Sequence, residues 1–549
     1  MSRVIALGLD SADSGFIDEL VAAGSLPNLA RLRSAAARVR LRTASTYRAE
    51  YAWTEFTTGR RSDTSRYWST VDFDPDTYDS YMRGACPAEP FYALPDATVV
   101  TFDYPKVVPS PMVRGLQALG WGAHSPQHPT VSTPAGLLDE ITARFGAHPA
   151  IPIEYAGSWH QPDHLTRFGA AQEAGVRCRS EILRWLATRE PGWDLLTTLV
   201  GETHQSGHLM WHGVHGDDLT GRAASVHAAR AGMLAIHRAI DDLVGDVLAW
   251  APDDATVIVF STQGMTSAHD DTMATTLLPE LMLRLGAGEA RLPANDLRTW
   301  RRRGAAPVVP SVWDSPIGWT ARRFGPNLGT ARRNDRRAAA RAHLRLALTD
   351  HAPALLRTRR RPPAPAALPT TFPYRDLSLN EWHVAGWYRD AWPRLPAFVI
   401  PGFSDAHIRI NLAGRERDGV VALDDYDAAC DDVERSLRAC RSARTGDPIV
   451  ADITRMRAGD PCAPGGPGAD LVVQLWGTDA IEHPDAGSIG PTVAMRTGSH
   501  TEHGFADISG PGIDPGDRGT FGVCDLSATI CALLGRTARV PLDGRSFLD

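Results

Sequence analysis

Four short, largely apolar runs, each followed by residues with chemistry to offer, constrain this chain more than any other feature. They are Val4–Leu9 before Asp10, Thr98–Phe102 before Asp103, Trp193–Val200 before Glu202, and Ala255–Phe260 before Ser261-Thr262-Gln263. Apolar runs of this length with turn signals at their ends read as strands buried on both faces. Between them lie segments with helical periodicity: Ser14–Ala37 (broken at Leu26-Pro27), Pro134–Phe145, Gly175–Thr188 and Ala223–Trp250. Strands alternating with helices specify an α/β fold, with a mostly parallel central sheet and helices on both of its faces.

The chain has 549 residues, beyond the roughly 250–300 at which one core stops growing, so a large domain with an insertion, or two domains, is expected. Residues 1–289 read as the N-terminal part of the core. Residues 370–549 read as its C-terminal part, with strands at Ala397–Ile400, Ala406–Leu412, from Val420 onward and at Asp470–Trp476, and a terminal helix at Asp525–Leu534. Residues 290–369 change character: the clusters Arg301–Arg303, Arg332–Arg345 and Arg357–Arg361 lead into RRPPAPAALP, which indicates a helical insertion or lid and a Pro-rich linker. Those arginines form a solvated helix face or hold an anionic group of a substrate.

In α/β sheets ligands collect at the carboxyl ends of the strands, so Asp10 is placed for metal or substrate, unless it caps the following helix. The densest chemistry is in Leu199–His212, LVGETHQSGHLMWH, which packs Glu202, His204, His208 and His212 close together. If this segment turns helical, His204 and His208, four apart, share a face as a divalent metal needs. Gly207 leaves room for a close backbone approach, and Trp211 can exclude water. The alternative is an amphipathic helix whose histidines are surface or capping residues. Further on, MRTGSHTEHGFADISGPGI reads as a Gly-rich loop around His500 and His503.

Composition narrows the partner. Hydrophobic residues make up 43% and charged residues 22%, as in a soluble globular protein, and a net charge of −7 gives no reason to expect nucleic acid or a membrane. A small-molecule substrate is expected, and a homodimer stays open. The seven cysteines form no CxxC pair, the N-terminus runs straight into a strand, and no stretch has the length of a membrane span, so a cytoplasmic protein is expected.

Several motifs together resemble the alkaline phosphatase superfamily, on the branch similar to type I phosphodiesterase/nucleotide pyrophosphatase. They are the opening GLDSAD, LPNLARL, WTEFTTG, GWGAH, ETHQSGHLMWH, FSTQGM, GSHTEHG with SGPGI, and the closing DLSATICALLG with LDGRSF, which span essentially the whole chain. The resemblance implies an alkaline-phosphatase-like core and two divalent ions about 4 Å apart that clamp the attacking and leaving oxygens. On the family's pattern Asp10 matches the acid after the first strand, His208 the histidine of an Asp-x-x-x-His pair, and His500 the late histidine.

Elsewhere the pattern is broken. Counting back from Thr58-Gly59, the family's Thr or Ser nucleophile falls at or beside Ala49, with Ser45 and Thr46 nearby but off register. The aspartate before His208 is His204 here, and the Asp-His pair after the fourth strand is Thr262-Gln263. One divalent ion, zinc first, held by Asp10, His204, His208 and His500 is therefore expected, with a metal-free centre as the alternative. Glu50, beside the vacated nucleophile position, is placed to act as a general base, Arg48 to hold an anion, and His204 to take part in catalysis. Trp211, His212, Gln263 and His503 are candidate substrate-binding residues. The resemblance points to a metal-dependent hydrolase or transferase of a small anionic ester with an altered metal site. The alternatives are a single-metal or metal-free enzyme of small-molecule metabolism catalysing group transfer, elimination or condensation, and a non-catalytic small-molecule-binding protein.

Overall fold

The computed structural model describes residues 3–43, 48–122, 130–151, 153, 159, 161–215, 224–292, 380, 383–457, 459–491 and 496–548; the side chains of residues 48–50, 269 and 272 are not among those described. Apart from residues 290–292, the arginine- and proline-rich stretch lies outside it.

The chain opens with β1 (Arg3–Leu9), α1 (Ser14–Ala22), α2 (Pro27–Ser34), β2 (Ala37–Arg42) and α3 (Arg48–Thr58). Then come β3 (Thr98–Phe102), β4 (Arg114–Leu119), β5 (Val131–Thr133), α4 (Leu137–Phe145), α5 (Pro162–Arg189), β6 (Leu195–Val200), α6 (Glu202–Met210), α7 (Val226–Trp250), β7 (Ala255–Ser261), β8 (Gly264–Ser267) and α8 (Leu278–Ala287). The C-terminal part supplies β9 (Ala397–Ile400), β10 (Ala406–Ile410), α9 (Tyr426–Ala439), β11 (Val450–Arg455), β12 (Leu471–Leu475), β13 (Gly498–Thr501), β14 (His503–Ser509), β15 (Gly516–Gly522) and α10 (Val523–Leu533).

The fold is α/β. Nine strands form one sheet in the order β15-β2-β14-β7-β1-β6-β3-β4-β5. The run from β7 to β4 is parallel, while β14 enters antiparallel between β2 and β7. Alternation along β1 shows why these strands are apolar throughout. Ile5, Leu7 and Leu9 pack under α1, α2, α5 and α7, whereas Val4 and Ala6 face the other layer with Phe56 of α3 and Leu526 and Ile530 of α10. Each fully buried side chain of this kind, Phe56 and Phe260 among them, contributes about 1.5–3 kcal/mol.

Three expectations are corrected. The strands at 397–475 do not extend the central sheet; they form a separate antiparallel sheet, β9-β10-β12-β11, with its own apolar core against α8 and α9. The stretch after Val420 carries helix α9, because Tyr426, Cys430 and Leu437 recur at helical spacing and are the residues it buries. The segment around His500 and His503 is two strands, β13 and β14, whose partners β8, β2 and β7 supply the ladder bonds that a glycine-rich sequence does not advertise. Among the described residues no helix is long and apolar enough to cross a membrane. All seven cysteines are free thiols.

Candidate functional site

The centre grows out of the register of β1, β6 and β7. Leu9 lies opposite Val200 and Gly8 opposite Phe260, so Asp10, the start of α6 and Gln263 emerge side by side at the carboxyl edge of the sheet. α6 begins at Glu202, and its turn sets His204 and His208 on one face. Glu202 anchors that start: Arg179 of α5 lies 3.1 Å away and His148 3.2 Å away, while Arg179 also reaches Asp103 at 2.9 Å. Burial alone would raise the Glu202 carboxyl, but Arg179 and His148 outweigh it and hold it down at about 2.

His500 arrives from the opposite side. In the β8–β13 pair it stands opposite Met265, and this pair presses so closely on α6 that both surfaces need glycine. A Cβ on Gly207 would meet Met265 Cε at 2.5 Å, and one on Gly498 would meet the Gly207 carbonyl oxygen at 2.3 Å. The close approach brings the Gly498 carbonyl to 2.7 Å from His208 Nδ1. A carbonyl only accepts, so Nδ1 carries the proton and the Nε2 lone pair turns toward the centre.

The rings of His204, His208 and His500 meet edge-on or tilted around one point with centroids 4.4–4.8 Å apart, and one donor nitrogen from each lies within 4.8 Å of the others. His204 Nε2 is 3.0 Å from His208 Nε2, and His204 Nδ1 is 3.3 Å from Asp10 Oδ2. Asp10 is fully buried and its Oδ1 accepts from Trp53 Nε1 at 2.6 Å and from Ser11 Oγ at 3.1 Å. When His204 Nδ1 donates to Asp10, the two Nε2 atoms face each other, and either a proton or a cation must sit between them. Ser11 has φ 57°, a left-handed conformation uncommon for a residue with a side chain. Its Oγ lies 3.0 Å from His500 Nδ1 and receives a hydrogen bond from Gln263 Nε2, also at 3.0 Å.

Arg496 completes the rim. Its Nε donates to Asp271 and its Nη1 lies 3.1 Å from His208 Nε2, while Asp271 also accepts from Ser499 Oγ at 2.9 Å. Burial first, then Arg496 and the two neighbouring imidazoles, push His208 well below the ordinary histidine range. His208 is thus neutral near pH 7, a state fit to accept a proton or bind a metal.

This donor set suits one divalent ion: three imidazoles converge, two of them oriented by a carboxylate and a carbonyl on their far nitrogens. Among the described residues no second such group is gathered. After β7 the chain offers Thr262, which is neutral, and Gln263, whose amide points its N–H at Ser11 and at His500, 3.2 Å away, and position 49 is an alanine.

The remaining candidates are spread out. Gln263 is in the centre. Trp211 packs in the core against Phe16, and buried His212 lies 2.9 Å from Ser225 Oγ and against Trp159; neither joins the three-histidine group. His503 is 68% exposed beside Glu502, past the bend at residue 502 that separates β13 from β14. Arg48, Ala49 and Glu50 form the first turn of α3, but their side chains lie outside the described residues, as do Ser45, Thr46 and His124. Ser11, Trp53, Asp271 and Arg496 were not singled out by sequence. Ser11 follows the acid of β1 directly and Arg496 stands four residues before His500, which are the signals available; Trp53 and Asp271 have none.

Fold and centre together define an α/β protein with a histidine cluster at the carboxyl edge of its parallel strands. Residues 4–304, more than half of the chain, match the family described as Type I phosphodiesterase / nucleotide pyrophosphatase, and the chain belongs to that family. No curated protein sequence matches it. Similar solved structures include phosphonoacetate hydrolase from Sinorhizobium meliloti in complex with phosphonoformate, 13% identical over 97% of this chain and 96% of that one, TM-score 0.46. Murine ectonucleotide pyrophosphatase / phosphodiesterase 5 is 11% identical over 99% and 97%, TM-score 0.42. Wild-type alkaline phosphatase PafA is 11% identical over 100% and 98%, TM-score 0.46.

Proposed function

We propose that the protein is a hydrolase or transferase of a small anionic ester whose centre binds one divalent ion, zinc first, through His204, His208 and His500. The observation that carries this is the convergence of three imidazole donors within 4.8 Å on a strand edge inherited from a phosphodiesterase family. A divalent ion at that point supplies Lewis acidity toward an ester oxygen. The chain does the rest. Asp10 accepts from His204 Nδ1 and orients that ring, the Gly498 carbonyl orients His208, and Arg496 supplies fixed positive charge. Glu50, one residue from the vacated nucleophile position, is the proposed general base on water or a substrate hydroxyl, with Arg48 as an anion-holding partner.

Elemental analysis after exhaustive dialysis tests this. One equivalent of metal per chain, lost in His500→Ala together with hydrolysis of an aryl phosphodiester, supports it; two equivalents retained overturn it. A second reading has its own observation: the 3.0 Å gap between His204 Nε2 and His208 Nε2 also fits a shared proton. Asp10 and His204 would then form a metal-free acid–base pair for group transfer, elimination or condensation. Full activity of metal-free protein in excess chelator would select it.

A further inference from the structure

Among the described residues the only group of metal-ligand side chains is His204, His208 and His500, with none gathered for a second cation, yet the centre keeps a permanent positive charge. Thr262 and Gln263 are neutral and buried, whereas Arg496 holds a guanidinium against His208, with Nη1 3.1 Å from Nε2. We propose that Arg496, positioned by Asp271, takes the place of the missing cation and binds the non-bridging oxygens of a tetrahedral oxyanion, the acidic group of the substrate. This rests on the ester-processing reading above for its meaning in catalysis, but the oxyanion site itself is a property of Arg496.

Three features carry it. The guanidinium is aimed: Nε is taken by Asp271, which is buried and tied to Ser499 Oγ at 2.9 Å, so the edge bearing the two Nη groups is turned to the centre, where Nη1 meets His208 Nε2. It is reachable: the Arg496 side chain is 22% exposed, against 6% for Asp271, so the charge stands between the imidazoles and solvent. Its present bond is replaceable, because His208 Nε2 no longer accepts once it holds an ion, whereas an oxyanion offers two charged oxygens matched to the fork. A guanidinium also stays charged at every working pH, unlike an ammonium or a metal-bound water.

The test is calorimetric titration of the purified, zinc-loaded chain with inorganic sulfate, whose charge does not vary near neutral pH. The wild type should bind sulfate, and Arg496→Gln should weaken binding by about 10- to 100-fold, the range for losing hydrogen bonds to a charged group. Arg496→Lys keeps the charge without the fork and should fall between the two; should Arg496→Gln not fold, this variant decides alone. Asp271→Asn should also weaken sulfate binding while zinc stoichiometry stays unchanged, which a merely structural role for Asp271 would not produce. Arg435→Gln, at an exposed pair with Asp432, is the control and should bind as the wild type does. Sulfate binding that is absent from the wild type, or undiminished in both Arg496 variants, overturns the proposal. Arg496-dependent binding in a protein that hydrolyses no ester sinks the hydrolase reading and leaves the oxyanion site standing; ester hydrolysis with Arg496-independent binding does the reverse.

Discussion

Gly498→Ala tests how the centre is held together. The new Cβ would lie 2.3 Å from the Gly207 carbonyl oxygen and 2.8 Å from Met265 Sδ. The first of these is helix backbone and cannot swing aside. A relaxed carbon–oxygen contact needs about 3.3 Å, so β13 and α6 must part by about 1 Å. The His208 Nδ1 to Gly498 oxygen bond, 2.7 Å long, would then stretch to about 3.7 Å, past the limit of a hydrogen bond. Two costs follow: about 1–3 kcal/mol of overpacking in stability, and about a 10- to 100-fold loss of metal affinity, typical when the group orienting a ligating imidazole is removed. Zinc competition with a chromophoric chelator reads the second, and thermal unfolding the first. Gly84→Ala, where the added Cβ meets nothing within 4 Å, is the control. Zinc affinity unchanged in Gly498→Ala while Tm falls would show that the carbonyl does not orient His208, and the assembly argument would fail.

Other outcomes are expected. His208→Ala should abolish activity, whereas Glu50→Gln should lower kcat and kcat/KM together by about 100- to 10,000-fold; a raised KM with unchanged kcat would make Glu50 a binding group. If the family's nucleophile position falls at or beside Ala49, generic aryl phosphate monoesters should turn over poorly; turnover within the ordinary enzyme range of about 1–1000 per second would refute this. Stability should fall in mild acid through His237, which burial pushes down to about 4 from 6.5. Above 6.5 it is neutral folded and unfolded, but below that the unfolded chain takes a proton the folded chain refuses, so up to about 3 kcal/mol is lost as pH falls to 4. Equilibrium unfolding against pH checks this, and His237→Phe should flatten the curve between those values.

Much of the fold is legible in local pattern. β1, β3, β6 and β7 announce themselves as apolar runs, and α7 as a long amphipathic period, because burial on two faces or on one stripe leaves its mark on consecutive residues. The same holds for α6, where a four-residue spacing is enough to put His204 and His208 on one face. Asp10 could be placed at a strand end for the same reason. What failed were the segments whose state is set by partners. β13 and β14 look like a glycine-rich loop until β8, β2 and β7 pair with them, and the strands at 397–475 look like more of the central sheet until they close on their own core.

The sequence by itself determined the parallel sheet and the edge on which ligand-type residues gather. Only the tertiary structure decided which of those residues meet. His500 lies close to three hundred positions from His208, and no periodicity links them; the glycine-to-glycine contact of α6 with β13 does. Ser11, Trp53 and Arg496 entered the centre the same way, through a left-handed turn, an indole reaching across to Asp10, and an ion pair with Asp271. Local sequence encodes which face a residue occupies, because that depends on neighbours a few bonds away. Contacts between distant segments depend on how whole elements pack, and a single chain does not print that in any window of its residues.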